Sequence, residues 1–288
     1  MLRSLTSAIS GLQNFQGRMD VIGNNIANVN TTGFKAGRVD FADSFSQTLR
    51  SSNPGDGDVT GTSAMQIGSG VTTGAIRNLY TQGAVARTGV KTDLAVSGEG
   101  YFVVRDPVSG TPMVTRAGDF RVDDDGYIVN NSGLRLQGYS DAALGVVGDI
   151  KIDLEGKPAG VADTVTMSDW AIDREGKINV SLSDGSQFVR GQILLQKFSD
   201  PQGLVKEGNN LYSGISAAGP LGGADSPTPG RPTLAGLGSI QSGSLELSNV
   251  DLANEFSSMI TAQRAFQATA RIISTSDEML QELVNLKR

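Results

Sequence analysis

Apolar residues recur at intervals of seven at both ends of this chain, and this repeat constrains the fold more than any other feature. Near the N-terminus the repeat falls on Leu5, Leu12, Met19 and Ile26. Near the C-terminus it falls on Leu252, Met259, Phe266, Ile273 and Leu280. A strict seven-residue spacing predicts a helix with a narrow apolar seam that must face another helix. We therefore expect the two ends to pair with each other in a coiled-coil-like arrangement.

Local signals predict where the first helix ends and the second begins. Asn30, Thr31 and Thr32 break the first repeat, and Gly33 suits the left-handed position after a helix end. Ser248 and Asp251 have the spacing of a capping box, which predicts that the second helix starts there. An ordinary helical pair that covers a core is the alternative interpretation of the two repeats.

The middle of the chain, from about residue 34 to 247, has the features of β structure with many turns. Tyr101–Val104 and Gln192–Leu195 are short strand candidates. Val122–Ile128 and Ile172–Ile178 share the pattern apolar-Asp-x-x-Gly-x-Ile, which is typical of a hairpin tip built on a type I turn. The predicted fold class is α+β, with paired N- and C-terminal helices and an inserted, mostly antiparallel β domain.

The composition excludes several classes of function. The chain has no cysteine and no histidine, so it has no disulfide framework, no Cys or His zinc site and no Ser-His-Asp triad. Its formal charge of −6, without a Lys/Arg-rich run, argues against nucleic-acid binding. The sequence has no run of about 18 apolar residues, so no segment is predicted to span a membrane. The N-terminus lacks the apolar core of a signal peptide.

Two short motifs have part of a binding-site pattern, but their spacing is wrong. Asp123–Gly126 lacks the downstream glutamate of a calcium loop, and the matching turn at Asp173 carries Arg174. Gly98–Gly100 lacks the third glycine of a nucleotide fingerprint, because Val103 stands in its place. No carboxylate pair indicates a catalytic pocket. We therefore expect no enzymatic activity, no metal and no cofactor.

Four asparagines cluster where the first helix ends: Asn24, Asn25, Asn28 and Asn30. Asparagine is not favoured inside helices, so the cluster needs a reason. One interpretation is that these side chains bind neighbouring subunits, and the other is that they cap the helix and form the turn. Asn24, Asn25 and Asn28 join the nine seam residues as the candidate subunit interface.

The chain resembles bacterial flagellar rod and hook proteins along nearly its whole length. Met19–Asn28 followed by Asn30–Lys35 is similar to the N-terminal signature of that family. Gly243–Leu252 followed by Ala262–Gln267 is similar to its C-terminal signature. Between them, Asp93–Phe102 and Thr115–Phe120 resemble family motifs in the same order.

This resemblance implies a structural subunit that polymerises with itself into a helical tube. It implies export in unfolded form through the flagellar type III apparatus, without a cleaved signal peptide, and a final place in the extracellular part of the flagellum. The ending Arg271–Arg288 is most similar to hook proteins, so we expect a hook subunit that acts as a universal joint. A distal rod subunit is the alternative, because the length of 288 residues is close to that of such proteins. Further expected partners are the distal rod protein, the hook cap and the hook–filament junction proteins.

The sequence and the resemblance together predict three structural parts. They are a terminal helical inner domain (1–33 with 249–288), a connecting segment (34–70 with 225–248) and a β-rich outer domain (71–224). Two looser, glycine-containing stretches, 51–74 and 214–238, are predicted either as hinges between the layers or as plain surface loops.

Overall fold

The computed structural model describes residues 2–52, 54, 61–157, 165–221 and 229–286, apart from the side chain of Leu2. One long helix lies at each end and antiparallel strands lie between them, which confirms the predicted α+β class. Helix α1 spans Leu2–Ala27 and helix α2 spans Leu252–Leu286. Within the described residues, neither helix combines the length and the apolar character that a membrane span needs.

Between the two long helices, the described residues form twenty strands and one short 3₁₀ helix, Pro201–Gly203. In chain order the strands are β1 (Gly37–Asp43), β2 (Ser46–Arg50), β3 (Met65–Gly68), β4 (Val71–Asn78), β5 (Val85–Arg87), β6 (Leu94–Ser97), β7 (Tyr101–Arg105), β8 (Pro112–Thr115), β9 (Phe120–Val122), β10 (Ile128–Asn130), β11 (Arg135–Tyr139), β12 (Val147–Asp149), β13 (Met167–Ile172), β14 (Lys177–Leu182), β15 (Gln187–Ile193), β16 (Leu195–Gln196), β17 (Val205–Gly208), β18 (Leu211–Ser213), β19 (Ser239–Ser242) and β20 (Ser244–Glu246).

The chain divides into two compact units, each made of segments that are distant in sequence. Unit 1 contains Met1–Ala27, Ala36–Leu79 and Val250–Arg288, and unit 2 contains Asn28–Lys35 and Tyr80–Asn249. Unit 1 therefore holds both long helices and strands β1 to β4, and unit 2 holds the remaining strands. The three-part domain division remains a prediction.

In unit 1 the two helices pack against each other in antiparallel directions. Asn25 Nδ2 donates to Glu255 Oε1 at 3.2 Å near one end of the pair. Near the other end, a Cβ on Gly11 would lie 3.3 Å from Cγ2 of Thr269. This register, together with lengths of 26 residues for α1 and 35 for α2, lets the last two turns of α2 extend beyond the start of α1.

Helix α2 begins later than the predicted capping box requires. A box that starts at Ser248 would begin the helix one residue after it, whereas the helix begins at Leu252. Asp251 is the capping residue instead, since its Oδ1 accepts a hydrogen bond from the Ala253 N–H at 2.9 Å. The capping-box prediction is therefore wrong in its boundary, although it placed the helix start in the right region.

Unit 2 is built around an antiparallel sheet of twelve strands. Its longest path runs β13-β14-β15-β11-β7-β8-β18-β17, and β9, β10, β12 and β16 join it at the side. The strand predicted at Tyr101–Val104 is β7, and the one at Gln192–Leu195 falls across β15 and β16. Aliphatic and phenylalanine side chains between these strands form the larger part of the buried core.

Both predicted hairpin tips are present, where β9 joins β10 and β13 joins β14. At the first tip the Gly126 N–H donates to the Asp123 carbonyl oxygen at 2.8 Å, and Gly126 has a φ of 87°. Gly176 has a φ of 75° in the matching turn. The two glycines are needed because a side chain strains the backbone at positive φ.

A smaller core cluster in unit 2 is rich in aromatic rings. Tyr101 stands 5.6 Å from Phe198 and 6.2 Å from Tyr212, measured between ring centroids. Both tyrosines are almost completely buried. Burial raises the pKa of each of their hydroxyl groups well above the ordinary value of 10.0, because an ionised phenol would lose its hydration.

We expect the protein to lose stability as the pH rises above 10, partly through these tyrosines. In the unfolded chain Tyr212 ionises near its ordinary pKa of 10.0, whereas the folded chain retains the proton. The free energy of unfolding should therefore fall by up to about 1.4 kcal/mol per pH unit for each such tyrosine. Tyr212→Phe removes this contribution, so the free energy measured by urea unfolding should fall less steeply with pH in the variant. Equal slopes in the two proteins would contradict this assignment.

Candidate assembly interface

The predicted seam residues lie along the helix pair of unit 1. Eight of them are partly buried: Leu5, Leu12, Met19 and Ile26 in α1, and Met259, Phe266, Ile273 and Leu280 in α2. Leu252 differs, because it is the first residue of α2 and remains exposed. The role of these residues in contacts between subunits remains a prediction.

A second row of residues, which the predicted seam does not include, alternates with that seam at steps of three and four. In α1 the row consists of Ala8, Phe15 and Ile22, and in α2 of Glu255, Ala262, Thr269 and Ser276. Ala262 and Ser276 are buried, so the packed face of α2 is lined by small and polar side chains as well as apolar ones. A search for apolar residues alone could not find the α2 part of this row, because three of its four residues are polar, but the three-four spacing from the predicted seam would have indicated it.

Asn25 makes its hydrogen bonds within unit 1 and is only 2% exposed. Its Oδ1 accepts from the Gly37 N–H at 2.9 Å, and its Nδ2 donates to the Gly37 carbonyl oxygen at 2.8 Å. The same Nδ2 reaches Glu255. The amide therefore joins α1, β1 and α2 through three hydrogen bonds.

The other predicted asparagines lie nearer to the surface. Asn24 is exposed in the last turn of α1. Asn28 accepts a hydrogen bond from the Thr31 hydroxyl at 3.1 Å, which agrees with a role in the local turn. Asn28 and Asn30 also line a polar cavity of about 850 Å³ in unit 2.

Two apolar patches on α2 remain exposed in the described part of the chain. The first lies near the start of the helix and consists of Leu252, Phe256 and Ile260. The second lies near its end and consists of Met279, Leu283 and Leu286. Contiguous exposed apolar residues on a helix typically mark contacts with another protein surface.

The hairpin of β2 and β3, which we call the amphipathic hairpin, leaves one apolar face uncovered. Gln47 pairs with Ile67, so the apolar residues Phe45, Leu49, Met65 and Ile67 share one face. Phe45 is 80% exposed, and the other three are between 44% and 51% exposed. A lone two-stranded hairpin is marginally stable in water, so this face indicates a contact with a further surface.

The amphipathic hairpin overlaps one of the two stretches that were predicted as hinges or surface loops. The stretch 51–74 contains β3 and the first residues of β4, so this part of it is not a loop. Residues 53 and 55–60 lie outside the described part of the chain. In the second stretch, 214–238, turns predominate, and residues 222–228 are likewise not described.

Glu246 is the centre of a buried ion cluster in unit 2. Its Oε1 accepts hydrogen bonds from Lys35 Nζ at 2.6 Å and from the Gly83 N–H at 2.9 Å, and its Oε2 faces Arg116 Nη1 at 3.3 Å. Lys35 Nζ also donates to the Thr81 carbonyl oxygen at 2.8 Å. The side chains of Lys35 and Glu246 are completely buried. Burial lowers the pKa of Lys35, although its hydrogen bond to Glu246 acts in the opposite direction.

This Glu246 cluster holds the segment Asn28–Lys35 within unit 2. The Gly33 N–H donates to the Glu246 carbonyl oxygen at 2.8 Å. Gly33 has a φ of 66°, and a Cβ there would lie 2.6 Å from the backbone nitrogen of Ala117, so only glycine fits. Sequence reasoning missed the cluster because buried charges are rare. Its three charged residues nevertheless lie inside the family-like motifs quoted above, which was the available signal.

Among the described residues, no three acidic side chains come close enough together to hold a metal ion. The described residues do form exposed apolar surfaces and a polar cavity. They are the two patches on α2 and the apolar face of the amphipathic hairpin, together with the polar cavity in unit 2.

Three family models match the chain. Residues 5–35 match the flagella basal body rod protein family, and residues 95–180 match the D1 domain of flagellar hook protein FlgE/F/G. Residues 241–286 match the C-terminal family of the flagellar basal body rod FlgEFG proteins. The charged residues of the Glu246 cluster fall in or beside these segments.

Similar whole proteins carry flagellar names as well. The flagellar basal-body rod protein FlgG of Bacillus subtilis is 42% identical over 288 residues, covering all of both chains. The FlgG protein of Agrobacterium fabrum is 34% identical, covering 96% of this chain and 97% of that protein. The flagellar hook protein FlgE of Borreliella burgdorferi is 29% identical over 449 aligned positions, again covering all of both chains. These matches confirm the predicted resemblance, and with it the expectation of a structural protein rather than an enzyme.

We expect Glu246→Gln to destabilise the protein strongly, because it leaves Lys35 and Arg116 buried without their carboxylate. The loss in free energy of unfolding should be about 3–5 kcal/mol, measured by urea unfolding near neutral pH. Glu175→Gln is the matched control, since Glu175 pairs with Lys177 at 2.6 Å at the surface. The control should change stability by less than about 1 kcal/mol. If the two substitutions lowered the free energy of unfolding equally, the Glu246 cluster would contribute no more to stability than an exposed ion pair does.

Proposed function

We propose that this chain, which belongs to the family of flagellar basal-body rod and hook proteins, is a subunit of the distal rod. The observation that carries the proposal is the end-to-end alignment with rod proteins of the same length, at 42% identity over 288 residues. The hook relative needs 449 aligned positions to cover the same chain. This comparison outweighs the similarity of the ending Arg271–Arg288, on which the preference for a hook subunit rested.

The proposed function is mechanical. Copies of the chain add to one another through a head-to-tail contact whose rotation does not close, which generates a helical assembly. The helix pair supplies one contact layer, because α2 presents exposed apolar residues at both of its ends. The partners are then further copies of the chain, the adjoining axial proteins and the flagellar export apparatus. A chain without cysteine can pass through that apparatus unfolded with no risk of premature disulfides.

The amphipathic hairpin supports an assembly of copies of this chain. A neighbouring copy that covers Phe45, Leu49 and Ile67 would add a second contact, apart from the helices. The hydrophobic effect is non-directional, so such a contact would stabilise a rod and a hook alike.

A hook subunit is the second candidate. It is favoured by the match of residues 95–180 to the D1 domain of flagellar hook protein FlgE/F/G and by the hook relative in Borreliella burgdorferi. The two candidates predict different structures in cells that lack this chain, because the rod is assembled before the hook.

Deletion of this chain should leave basal bodies with a shortened rod and no hook. The measurement is electron microscopy of purified basal bodies from the deletion strain and from a strain that carries the gene on a plasmid. Restoration of the full rod by the plasmid is the control. Basal bodies with a complete rod and no hook would instead assign the chain to the hook.

Substitution on the apolar face of the amphipathic hairpin should weaken assembly without unfolding the subunit. In the double variant Leu49→Ser and Ile67→Ser, the changed side chains are about half exposed, so folding should change by less than about 1 kcal/mol. We expect fewer complete rods and reduced swimming in soft agar. The matched control is Thr48→Ala with Gln66→Ala, on the opposite face of the same hairpin. If both variants assemble normally, the apolar face makes no contact between copies.

A further inference from the structure

The polar cavity of about 850 Å³ in unit 2 lies where four segments of the chain converge. They are residues 28–32, 115–119, 130–132 and 209–210. Of the described residues that line it, Ala117 alone has a side chain without an amide, hydroxyl or carboxylate group. The volume lies within the range of about 300–1,000 Å³ that is usual for ligand pockets. The cavity is therefore large enough for a ligand and recognises it mainly through hydrogen bonds.

Asn130 brings a hydrogen-bond donor of fixed orientation to this cavity. The residue is 8% exposed, and its Oδ1 accepts from the Ser132 N–H at 3.0 Å and from the Leu134 N–H at 2.9 Å. Because only the oxygen of an amide can accept these two bonds, they also fix the position of Nδ2. This nitrogen donates to none of the described residues.

The Nδ2 atom of Asn130 can be reached by a ligand. It is not one of the polar atoms in the described part of the chain that are sealed from solvent without a partner. A donor on a buried side chain that lacks an acceptor costs free energy. An acceptor that enters the cavity and meets this donor is therefore stabilised.

Asp119 supplies an acceptor in the same cavity. It is partly buried, and its Oδ2 accepts a hydrogen bond from Asn131 Nδ2. Its Oδ1 accepts none from any other residue that the structure describes. Burial raises the pKa of this carboxyl, and the charge of Asp93 acts in the same direction, although the hydrogen bond from Asn131 opposes them. A further N–H donor would stabilise the ionised carboxylate.

The lining narrows the class of ligand. Asp119 is the one charged group among the described lining residues, so the cavity repels an anion. Pockets for small organic molecules are lined mainly by apolar and aromatic side chains, and this lining offers only Ala117. A peptide unit carries an acceptor and a donor without a charge. It therefore matches a cavity that holds the free donor of Asn130 and the carboxylate of Asp119.

We propose that this cavity binds the backbone of an exposed peptide segment from a second copy of this chain. A carbonyl oxygen of the segment accepts from Asn130 Nδ2, and one of its backbone N–H groups donates to Asp119. The recognition of a peptide backbone follows from the cavity alone. The identification of its source as a second copy rests on the proposed function, because that assembly places copies of the chain in contact.

The first arm of the experiment measures recognition of a peptide backbone by the full-length protein, at a concentration that keeps it monomeric. The probe is acetyl-triglycine N-methylamide, a neutral peptide without side chains, and binding is followed by NMR chemical-shift changes. We expect saturable binding that weakens roughly tenfold in Asn130→Asp, which retains Oδ1 but replaces the Nδ2 donor. Asn179→Asp adds the same charge on β14, outside the cavity, and should bind as the wild type does.

A second variant keeps this arm decisive. Circular dichroism reports whether Asn130→Asp folds, and if it does not, Asp119→Ala decides the question by removing the acceptor, again with a loss of roughly tenfold. Wild-type protein without saturable binding of the peptide, or binding that the deciding variant leaves unchanged, overturns the proposal. Glucose is titrated in parallel, and saturable binding of glucose in place of the peptide assigns the cavity to a sugar and likewise overturns it.

The second arm identifies the source of the segment. A photo-crosslinking residue is introduced as Ser132→p-benzoylphenylalanine, because Ser132 is exposed and lines the cavity. Purified hook–basal bodies that contain this variant are irradiated, and the products are separated on a denaturing gel. A product at twice the mass of the chain, with both peptides identified by mass spectrometry, supports a second copy. Products with other proteins only, or no product, overturn that assignment.

The two arms separate this proposal from the proposed function. The titration uses the monomer, so its result does not depend on whether the chain belongs to the rod or to the hook. Hook–basal bodies contain both structures, so the crosslink between copies is expected in either case. The microscopy of the deletion strain decides between rod and hook without reference to the cavity.

Discussion

The buried carboxylate of Glu246 is the interaction on which the organisation of unit 2 depends. It binds a lysine that lies 211 residues away in sequence and an arginine that lies 130 residues away, and its own backbone holds Gly33. Taking these charges out of water is costly, and they are tolerated because each one finds partners in the folded chain. The cluster therefore ties Asn28–Lys35, which follows α1 directly, into the unit that lacks the two long helices.

Unit 1 depends on a different kind of interaction. Its two helices meet through two alternating rows of residues, of which the second is small or polar only on α2, and Asn25 links the helices to β1. This packing leaves apolar side chains exposed on α2 and on the amphipathic hairpin. A surface of this type is costly in an isolated subunit and favourable in an assembly, where each copy can cover the exposed residues of the next.

Sequence reasoning reached the features that depend on local spacing. Short local patterns predicted the helix at each end, the hairpin tips at Gly126 and Gly176, and the strand at Tyr101–Val104. The Glu246 cluster could not be predicted, since nothing local distinguishes Lys35 or Arg116 from an exposed charge. The amphipathic hairpin was missed because the stretch 51–74, which contains β3, was predicted as a hinge or a surface loop. The start of α2 was misplaced because Ser248 and Asp251 are both good caps, and only the tertiary structure chose between them.

The pairing of α1 with α2 also constrains the order in which the molecule can fold. Asn25 and Glu255 are separated by 230 residues, so their contact closes one of the longest loops in the chain. Unit 2 also depends on a distant contact, since Lys35 and Glu246 are separated by 211 residues. The helix pair cannot form before both ends of the chain are present in the same place. A subunit that lacked either end would thus have one unpaired helix, with no paired surface to offer to a neighbouring copy.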